Sequence, residues 1–146
     1  MTDIVDKKTR SHIMSRIRSS NTTPEEKLFD LVRSTLGHRW RIERNYSALE
    51  GTPDVYIPSL FVVIFVDGCF FHSCPIHGHI PYSNSEFWQR KFERNIARDI
   101  RQTKALRRLG YSVWRFWEHS FHDNLIVATH QKIANRLYRQ TKKIRV

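Results

Sequence analysis

The segment "VVIFVDGCFFHSCPIHGH", residues 62–79, joins a buried-strand pattern to a loop of unusual composition. Five apolar residues precede Asp67, a pattern typical of a strand covered on both faces of a sheet. The loop that follows holds both cysteines of the chain, three of its eight histidines, and the adjacent pair Phe70 and Phe71. The segment therefore predicts a central strand that carries chemically active side chains at its end.

Two long helices and one C-terminal helix are predicted around this strand. Thr23 as N-cap, Pro24 in the first turn and Gly37 at the end predict a helix within residues 21–37. Its expected apolar face consists of Leu28, Phe29, Val32 and Leu36. Helical spacing predicts a second helix over residues 83–109, with an inward stripe of Trp88, Phe92, Ile96, Thr103 and Leu106. A basic helix is expected within residues 120–146.

The remaining patterns predict strands at residues 38–46, 53–57, 59–67 and 111–118. This order of elements predicts an α/β fold, with a mixed sheet between helices. At 146 residues the chain has the length of one ordinary domain, so we expect residues 1–146 to form a single unit. Residues 1–20 are expected to form a basic N-terminal arm or helix.

The charge balance is the first indication of function. Twenty-five Lys and Arg residues against fourteen Asp and Glu residues give a net charge of +11, which favours a nucleic-acid partner. The alternative is a solvated basic surface. The chain has no apolar run of about 18 residues, so no membrane span is expected. Its N-terminus has no secretory pattern, which predicts a cytoplasmic protein in which the cysteines bind metal rather than pair.

Cys69, Cys74 and His77 are spaced so that one loop can surround a tetrahedral ion, with His79 as a substitute for His77. We expect His119, at the end of a predicted strand, to be the fourth ligand. Two thiolates and two imidazoles favour Zn²⁺ in a closed, structural site. The alternative is a pair of buried free thiols beside surface histidines.

Two carboxylates lie at expected strand ends, Asp54 at the start of one and Asp67 at the end of another. If the strands pair, their oxygens can hold Mg²⁺, although each residue could equally form a turn. His72, next to this site, is expected to accept a proton from water, with Asp99 fixing its tautomer. The alternative for Asp99 is an ion pair with Arg98 or Arg101.

Five segments together resemble the very short patch repair endonucleases, the Vsr family. They are "KKTRSHIMSRIRSSNTTPEEKL", "GTPDVYIP", "VVIFVDGCFFHSCPIH", "SEFWQRKFERNIARD" and "LGYSVWRFWEH". The resemblance runs in order from about residue 6 to residue 119. It implies a restriction-endonuclease-like fold and Mg²⁺-dependent nicking of one DNA strand. In the family the cut is made 5′ to the T of a T:G mismatch left by 5-methylcytosine deamination.

Carried over by motif, Asp54 matches the main Mg²⁺-binding aspartate and Val66 offers its backbone carbonyl to the same ion. His72 matches the catalytic histidine and Asp99 its acidic partner. Glu25 matches the acid of the N-terminal helix; from position alone it could equally be a first-turn acid stabilised by the helix dipole.

Phe70 and Phe71 match two aromatic residues that enter the base stack beside the mismatch. The alternative is that both rings belong to the core and pack the loop. Basic residues of the N-terminal segment are expected to contact DNA together with Met14; they are Lys7, Lys8 and Arg10. We further expect a monomer and downstream repair proteins.

The chain departs from the family pattern at three positions. Phe71 stands where Trp is usual, so the wedge has less stacking area. Asp67 stands where His is frequent, so we expect a contact to metal in place of phosphate. His119 stands where Cys is usual, which affects zinc affinity. Two further functions stay open: a nuclease of the same fold without mismatch preference, and a zinc-stabilised DNA-binding protein without hydrolysis.

Overall fold

The computed structural model describes residues 23–144. In chain order its main elements are α1 (Pro24–Leu36), β1 (Glu43–Arg44), β2 (Val55–Ile57), β3 (Val62–Asp67), α2 (Ser85–Arg108), β4 (Ser112–Trp117) and α3 (Ile126–Ile144). Two short 3-10 helices, Pro58–Leu60 and Glu118–Phe121, follow β2 and β4. The expected N-terminal arm lies outside the described residues, and so do its Lys7, Lys8, Arg10 and Met14.

The four strands form one sheet in the order β1-β2-β3-β4. The first two pairings are antiparallel, and β3 pairs with β4 in parallel, so the predicted mixed sheet is confirmed. Parallel strands need a long connection, and α2 provides it by crossing from the end of β3 to the start of β4.

Helix α1 begins and ends where its capping residues predict. The Thr23 hydroxyl oxygen accepts a hydrogen bond from the Glu26 amide at 3.3 Å, and Pro24 occupies the first turn. Gly37 ends the helix with a positive φ of 83°, a conformation that glycine adopts without strain. The buried face differs from the expectation, because Leu31 is also fully buried, while Phe29 and Leu36 are only partly buried.

One face of the sheet is sealed by α1 and α3. Alternating residues of β2 and β3 point to this face, and six residues of α3 are buried. The resulting core contains Leu28, Leu31, Val32, Ile42, Val55, Ile57, Leu60, Val62, Ile64, Phe116, Phe121, Ile126, Ile133 and Leu137.

The opposite face is covered by α2 and has a much smaller core, formed by Val63, Phe65, Leu106 and Val113. Only Phe92 and Leu106 of α2 are buried. Because successive strand residues point to opposite faces, the residues that alternate with the sealed core point toward α2. By this alternation Asp54, Asp67 and Arg115 all lie on the α2 face of the sheet.

One expected element bound and one expected core position were wrong. The strand expected over residues 38–46 is reduced to Glu43–Arg44, because the Arg33 guanidinium, rather than a partner strand, binds the carbonyls of Gly37 and Trp40. The side chain of Ile96 is 40% exposed, since it lines an open apolar pocket instead of the core. The last helix, Ile126–Ile144, lies within the expected residues 120–146 and begins after the 3-10 helix at residues 118–121.

Within residues 23–144, no helix is both long and apolar enough to cross a membrane.

Candidate active site and metal centre

A cavity of about 490 Å³ opens on the α2 face, where β3 ends. It is lined by Gly51, Thr52, Asp54, Phe65, Val66, Asp67, His72, Arg98, Asp99, Gln102 and Arg115. The antiparallel pairing of β2 with β3 brings residue 54 beside the end of β3, and α2 supplies Asp99 from above the sheet. Four of the five residues predicted to act in catalysis therefore line one cavity: Asp54, Asp67, His72 and Asp99.

The Asp54 carboxylate is fixed by the backbone of β3. Its Oδ2 accepts a hydrogen bond from the Val66 amide at 2.7 Å. Burial raises the pKa of Asp54 to about 6. The hydrogen bond from Val66 lowers this pKa, while the nearby carboxylates of Glu25 and Asp67 raise it further. Glu25, the fifth residue predicted to act in catalysis, thus lies close enough to Asp54 to act on it electrostatically.

The imidazole of His72 is held between two acids. Its Nδ1 lies 2.5 Å from Asp99 Oδ2 and 3.8 Å from Asp67 Oδ1. The backbone of the loop is fixed as well, because the His72 amide donates to the Gly68 carbonyl at 3.1 Å. Asp99 also lies 3.7 Å from Arg98, so both readings of Asp99 are seen together: an acid that orients His72 and a partner of a neighbouring arginine.

Asp67 is bound by Arg115, a residue that the sequence patterns did not single out. Arg115 Nη1 donates to Asp67 Oδ1 at 2.7 Å. Burial raises the pKa of Asp67, and the positive charge of Arg115 opposes that rise. The sequence offers no local signal for this pair, because the contact depends on the parallel register of β3 and β4.

A second cluster lies behind the cavity, where the loop after β3 meets the end of β4. The ligand atoms of Cys69, Cys74, His77 and His119 all lie within 4.8 Å of one another. Both cysteines are buried and free, and the cluster contains His77 rather than His79, whose ring packs on Phe70 at 5.6 Å.

The spacing of the cluster fits a tetrahedral ion. Zinc bonds of about 2.3 Å to sulfur and about 2.0 Å to nitrogen place two such ligands about 3.5 Å apart. His119 Nδ1 lies 3.3 Å from Cys69 Sγ and 3.6 Å from Cys74 Sγ, and His77 Nδ1 lies 3.8 Å from Cys74 Sγ. These three separations lie within about 0.3 Å of that value, so the cluster could bind a metal ion at its centre.

The thiols of the cluster have different electrostatic surroundings. Burial raises the pKa of Cys69 to about 11. For Cys74 burial acts in the same direction, but hydrogen bonds from the backbone of His77 and Ile76 and from the His77 ring outweigh it and lower the pKa to about 7. A thiolate is therefore readily available at Cys74 for metal binding.

Backbone contacts fold the loop around this cluster. Glu118 accepts a hydrogen bond from the Cys69 amide at 2.8 Å and so joins the loop to the end of β4; the sequence patterns did not indicate it. The Gly78 amide donates to the Cys74 carbonyl at 2.8 Å. A Cβ atom at Gly78 would lie 2.6 Å from that carbonyl oxygen, so the turn requires glycine.

The two loop phenylalanines are in different environments. The Phe70 ring is partly buried and makes edge contacts with Phe71, His79, Trp88 and Phe92, at centroid distances of 5.1 to 5.6 Å. Phe71 is 50% exposed, and the Lys91 ammonium lies 5.7 Å from its ring centroid. Its carbonyl accepts from Asn95 at 2.9 Å, which anchors the loop on α2.

Comparison with known proteins agrees with this arrangement. Residues 2–77 match the family model described as DNA mismatch endonuclease Vsr. The "Type II nicking enzyme V.XorIIP" of Xanthomonas oryzae pv. oryzae is 41% identical over 120 residues, or 81% of this chain and 85% of the relative. The "Type II nicking enzyme V.NmeAIP" of Neisseria meningitidis serogroup A is 37% identical over 97% of this chain and 98% of the relative.

The protein named "DNA mismatch endonuclease Vsr" in Escherichia coli K12 is 35% identical over 123 residues, which cover 81% of this chain and 74% of that protein. These matches define the class: the protein is a DNA endonuclease. Within that class, the chain belongs to the Vsr family of DNA mismatch endonucleases.

Proposed function

We propose that this protein nicks one strand of duplex DNA on the 5′ side of the T in a T:G mismatch that arises from 5-methylcytosine deamination. The observation that carries the proposal is the arrangement of Asp54, His72 and Asp99 around one open cavity, in a chain of the Vsr family. A related nuclease without mismatch preference is the alternative outcome of the test below.

Asp54 and the Val66 carbonyl are the proposed ligands of a catalytic Mg²⁺. In an extended strand the N–H and C=O groups of one residue point to the same side, so the Val66 carbonyl should face the side on which Asp54 binds the Val66 amide. Burial and Glu25 both disfavour an uncompensated Asp54 carboxylate, which fits a position made for a cation. When bound, Mg²⁺ supplies positive charge to the reacting phosphate and lowers the pKa of a bound water.

His72 is the proposed general base. Asp99 occupies Nδ1, which leaves Nε2 as the nitrogen that can accept a proton from water. The water oxygen then forms a bond to phosphorus and one phosphate ester bond breaks. The proton from the water stays on Nε2, and the leaving oxygen takes a proton from solvent. The Asp99 carboxylate stabilises the imidazolium that forms, and Glu25 and Asp67 complete the acidic surroundings of the reaction.

Zn²⁺ at Cys69, Cys74, His77 and His119 has a structural role in this proposal. Four protein ligands leave no open coordination position for a water. By fixing the loop after β3, the ion holds His72 against Asp99 and holds Phe71 at the surface.

Phe70 and Phe71 are the proposed wedge beside the mismatch. A mismatch weakens stacking, so apolar side chains enter there at lower cost than in paired DNA. The half-exposed Phe71 ring is the leading edge, and Phe70 supports it from the aromatic cluster of Trp88 and Phe92.

The remaining proposals concern the whole chain. Residues 1–146 form a single domain with a restriction-endonuclease-like fold, supported by the four-stranded mixed sheet between α1, α2 and α3. The net charge of +11 supports contacts of the arm at residues 1–20, including Lys7, Lys8, Arg10 and Met14, with the DNA backbone and groove. We propose a monomer in the cytoplasm that hands its nicked product to repair proteins.

Single-turnover nicking with one labelled strand tests the central proposal. We compare duplexes with T:G, A:T and C:G at the same position, with and without Mg²⁺. Cutting 5′ to the T only in the T:G duplex and only with Mg²⁺ is the expected result. Equal cutting of all three duplexes would favour the nuclease without mismatch preference, and binding without cutting would favour a non-catalytic DNA-binding protein.

Variants of the proposed catalytic residues complete this test. Asp54→Asn and His72→Ala should each lower the nicking rate at least about 10²-fold, as expected for loss of a metal ligand or general base. The Kd for the T:G duplex should stay within about threefold, because neither side chain contributes backbone affinity. A variant that keeps the wild-type rate would refute the role given to that residue.

A further inference from the structure

Within residues 23–144, Arg115 is the arginine that hydrogen-bonds an acid of the catalytic cavity, with Nη1 2.7 Å from Asp67 Oδ1. Among the described residues, its nitrogens have three distinct environments. Nη1 binds Asp67, Nε donates to Thr103 Oγ1 on α2 at 2.9 Å, and Nη2 is buried without a hydrogen-bond partner. The guanidinium also lies over the Phe65 ring, 4.3 Å from its centroid.

Asp67 would compete with Asp99 if Arg115 did not hold it. Its Oδ1 lies 3.8 Å from His72 Nδ1, the same nitrogen that Asp99 contacts at 2.5 Å. That nitrogen can donate one hydrogen bond, so two free carboxylates at this distance would offer the ring two orientations. The bond from Arg115 to this same Oδ1 directs the acceptor away from His72 and leaves Asp99 as the partner that orients the ring.

The negative charge of the cavity also indicates a role for Arg115. Asp54, Asp67 and Asp99 line it, and the substrate phosphate adds a fourth negative charge. Arg98 reaches Asp99 only at 3.7 Å, from a side chain that is 46% exposed. Arg115 is 20% exposed and therefore compensates Asp67 with less screening by solvent.

We propose that Arg115 is a positioning residue of the nicking reaction, which binds Asp67 so that Asp99 alone orients His72; this inference rests on the function proposed above. It acts on His72 through Asp67 and does not touch the phosphate. The complete burial of Nη2, together with the use of Nη1 by Asp67 and of Nε by Thr103, opposes a direct contact with substrate.

A double-mutant cycle tests the inference. Nicking of the T:G duplex is measured for wild type, Arg115→Met, Asp67→Asn and the double variant, always under single turnover. In the wild-type background, Arg115→Met should slow nicking about 10²-fold, as expected for a misplaced catalytic group, with the Kd for DNA within about threefold. In the Asp67→Asn background, Arg115→Met should lower the nicking rate less than about threefold, because the carboxylate that competes for His72 is absent.

Two further variants separate positioning from folding. Arg115→Lys keeps the charge and should retain at least about a tenth of the wild-type rate. Arg136 of α3 packs over Trp114 and Phe116, which lie on the sealed face of β4, the strand that carries Arg115. Arg136→Met is therefore the matched control and should nick at the wild-type rate. Circular dichroism and zinc content must match wild type in each variant that is compared.

A spectroscopic readout makes the inference independent of activity. Long-range ¹H–¹⁵N spectra of the His72 ring, at one fixed pH, should show the Nδ1–H resonance shifted in Arg115→Met and returned in the double variant. If wild type nicks no duplex, the proposed function fails while these spectra still decide the role of Arg115. An equal cost of Arg115→Met in both Asp67 backgrounds, or an unchanged His72 resonance, would overturn the inference.

Discussion

The two faces of the sheet are built differently. On one face, α1 and α3 bury a continuous core of fourteen residues, and α3 alone contributes six buried residues. On the other face, α2 is longer but buries only Phe92 and Leu106, and polar contacts hold it: His72 to Asp99, Asn95 to the Phe71 carbonyl, and Arg115 to Thr103. Apolar burial stabilises the first face, and specific contacts position the second.

This difference explains how a small domain carries a polar site. Buried acids such as Asp54 and Asp67 are unfavourable in a closed core, so they lie where α2 leaves a cavity. The sealed face must then supply most of the stability, at roughly 25 cal/mol per Å² of buried apolar area. The cluster of Cys69, Cys74, His77 and His119, which could bind a metal ion, joins the two regions, since His119 follows β4 directly and the cysteines follow β3.

Removal of the metal from this cluster should have the largest effect, and should act mainly on the open face. Structural zinc contributes apparent binding free energies of about 10–16 kcal/mol in small peptides. We expect about one zinc per chain by elemental analysis, and loss of nicking after chelation. Hydrogen exchange should show protection lost in residues 69–79 and the first half of α2, with α3 unchanged. Absence of zinc, with both thiols freely titratable in the folded protein, would contradict the prediction.

A cavity in the sealed core should cost less, but should act on the whole molecule. Leu137 is 1% exposed, so Leu137→Ala should lower the free energy of unfolding by about 2–5 kcal/mol in urea titration. Below the unfolding transition the nicking rate should stay at the wild-type value. The adjacent Tyr138 is 61% exposed, and Tyr138→Ala should change stability by less than about 0.5 kcal/mol. Equal effects of the two substitutions would contradict the sealed-face description.

Local chemistry made much of the fold predictable. Thr23, Pro24 and Gly37 define α1 through capping, and the apolar run before Asp67 defines β3. The expected strand over residues 38–46 was mostly wrong, because a side chain of α1, Arg33, binds the backbone there. Such a contact between an element and the following segment has no periodic signal.

Site residues likewise divide into those that a local sequence pattern predicts and those that depend on tertiary contacts. The metal cluster could be predicted because three of its members lie within nine residues, Cys69 to His77. Arg115 could not, since its contact with Asp67 requires the parallel register that places it beside Phe65. A single sequence specifies neither that register nor the depth of the cavity.

Replacement of the aromatic wedge should affect DNA binding, and at Phe70 also stability, because that ring packs against Trp88 and Phe92. Replacement of Phe70 and Phe71 together by Ala should remove about 1–3 kcal/mol of stacking per base from binding of the T:G duplex. Affinity for matched DNA and its salt dependence should persist, because the basic residues are unchanged. Fluorescence anisotropy over a salt series measures both, with removal of the arm around Lys7, Lys8 and Arg10 as the opposite control. Removal of the arm should weaken binding of both the T:G and the matched duplex and should flatten the salt dependence of binding. If the Phe variant kept its full preference for the mismatch, the two rings would be core residues and not a wedge.

The smallest effect is expected from a polar contact inside the sealed face. Thr35 donates to the Leu31 carbonyl at 2.7 Å, so His130 Nε2, 3.1 Å from the same hydroxyl, must be the donor to it. Nδ1 of His130 is then a buried acceptor without a partner among the described residues. Burial accordingly lowers the pKa of His130 below its ordinary value of 6.5.

The sign of the pH dependence follows from this lowered pKa. Below about pH 6.5 the unfolded chain binds a proton at His130 that the folded protein does not bind. The contribution of neutral His130 to stability is therefore complete above that pH and is lost as the pH falls. The loss is at most about 1.4 kcal/mol per pH unit. His130→Gln keeps an N–H donor without a titrating group. Its stability, measured by urea titration, should therefore fall less than that of wild type between pH 7 and pH 5.5. Gln131 is buried beside it, and Gln131→Leu should keep the wild-type pH slope, because the residue replaced is neutral. If His130→Gln and wild type lost stability in parallel, the acid sensitivity would come from the carboxylates of the open face instead.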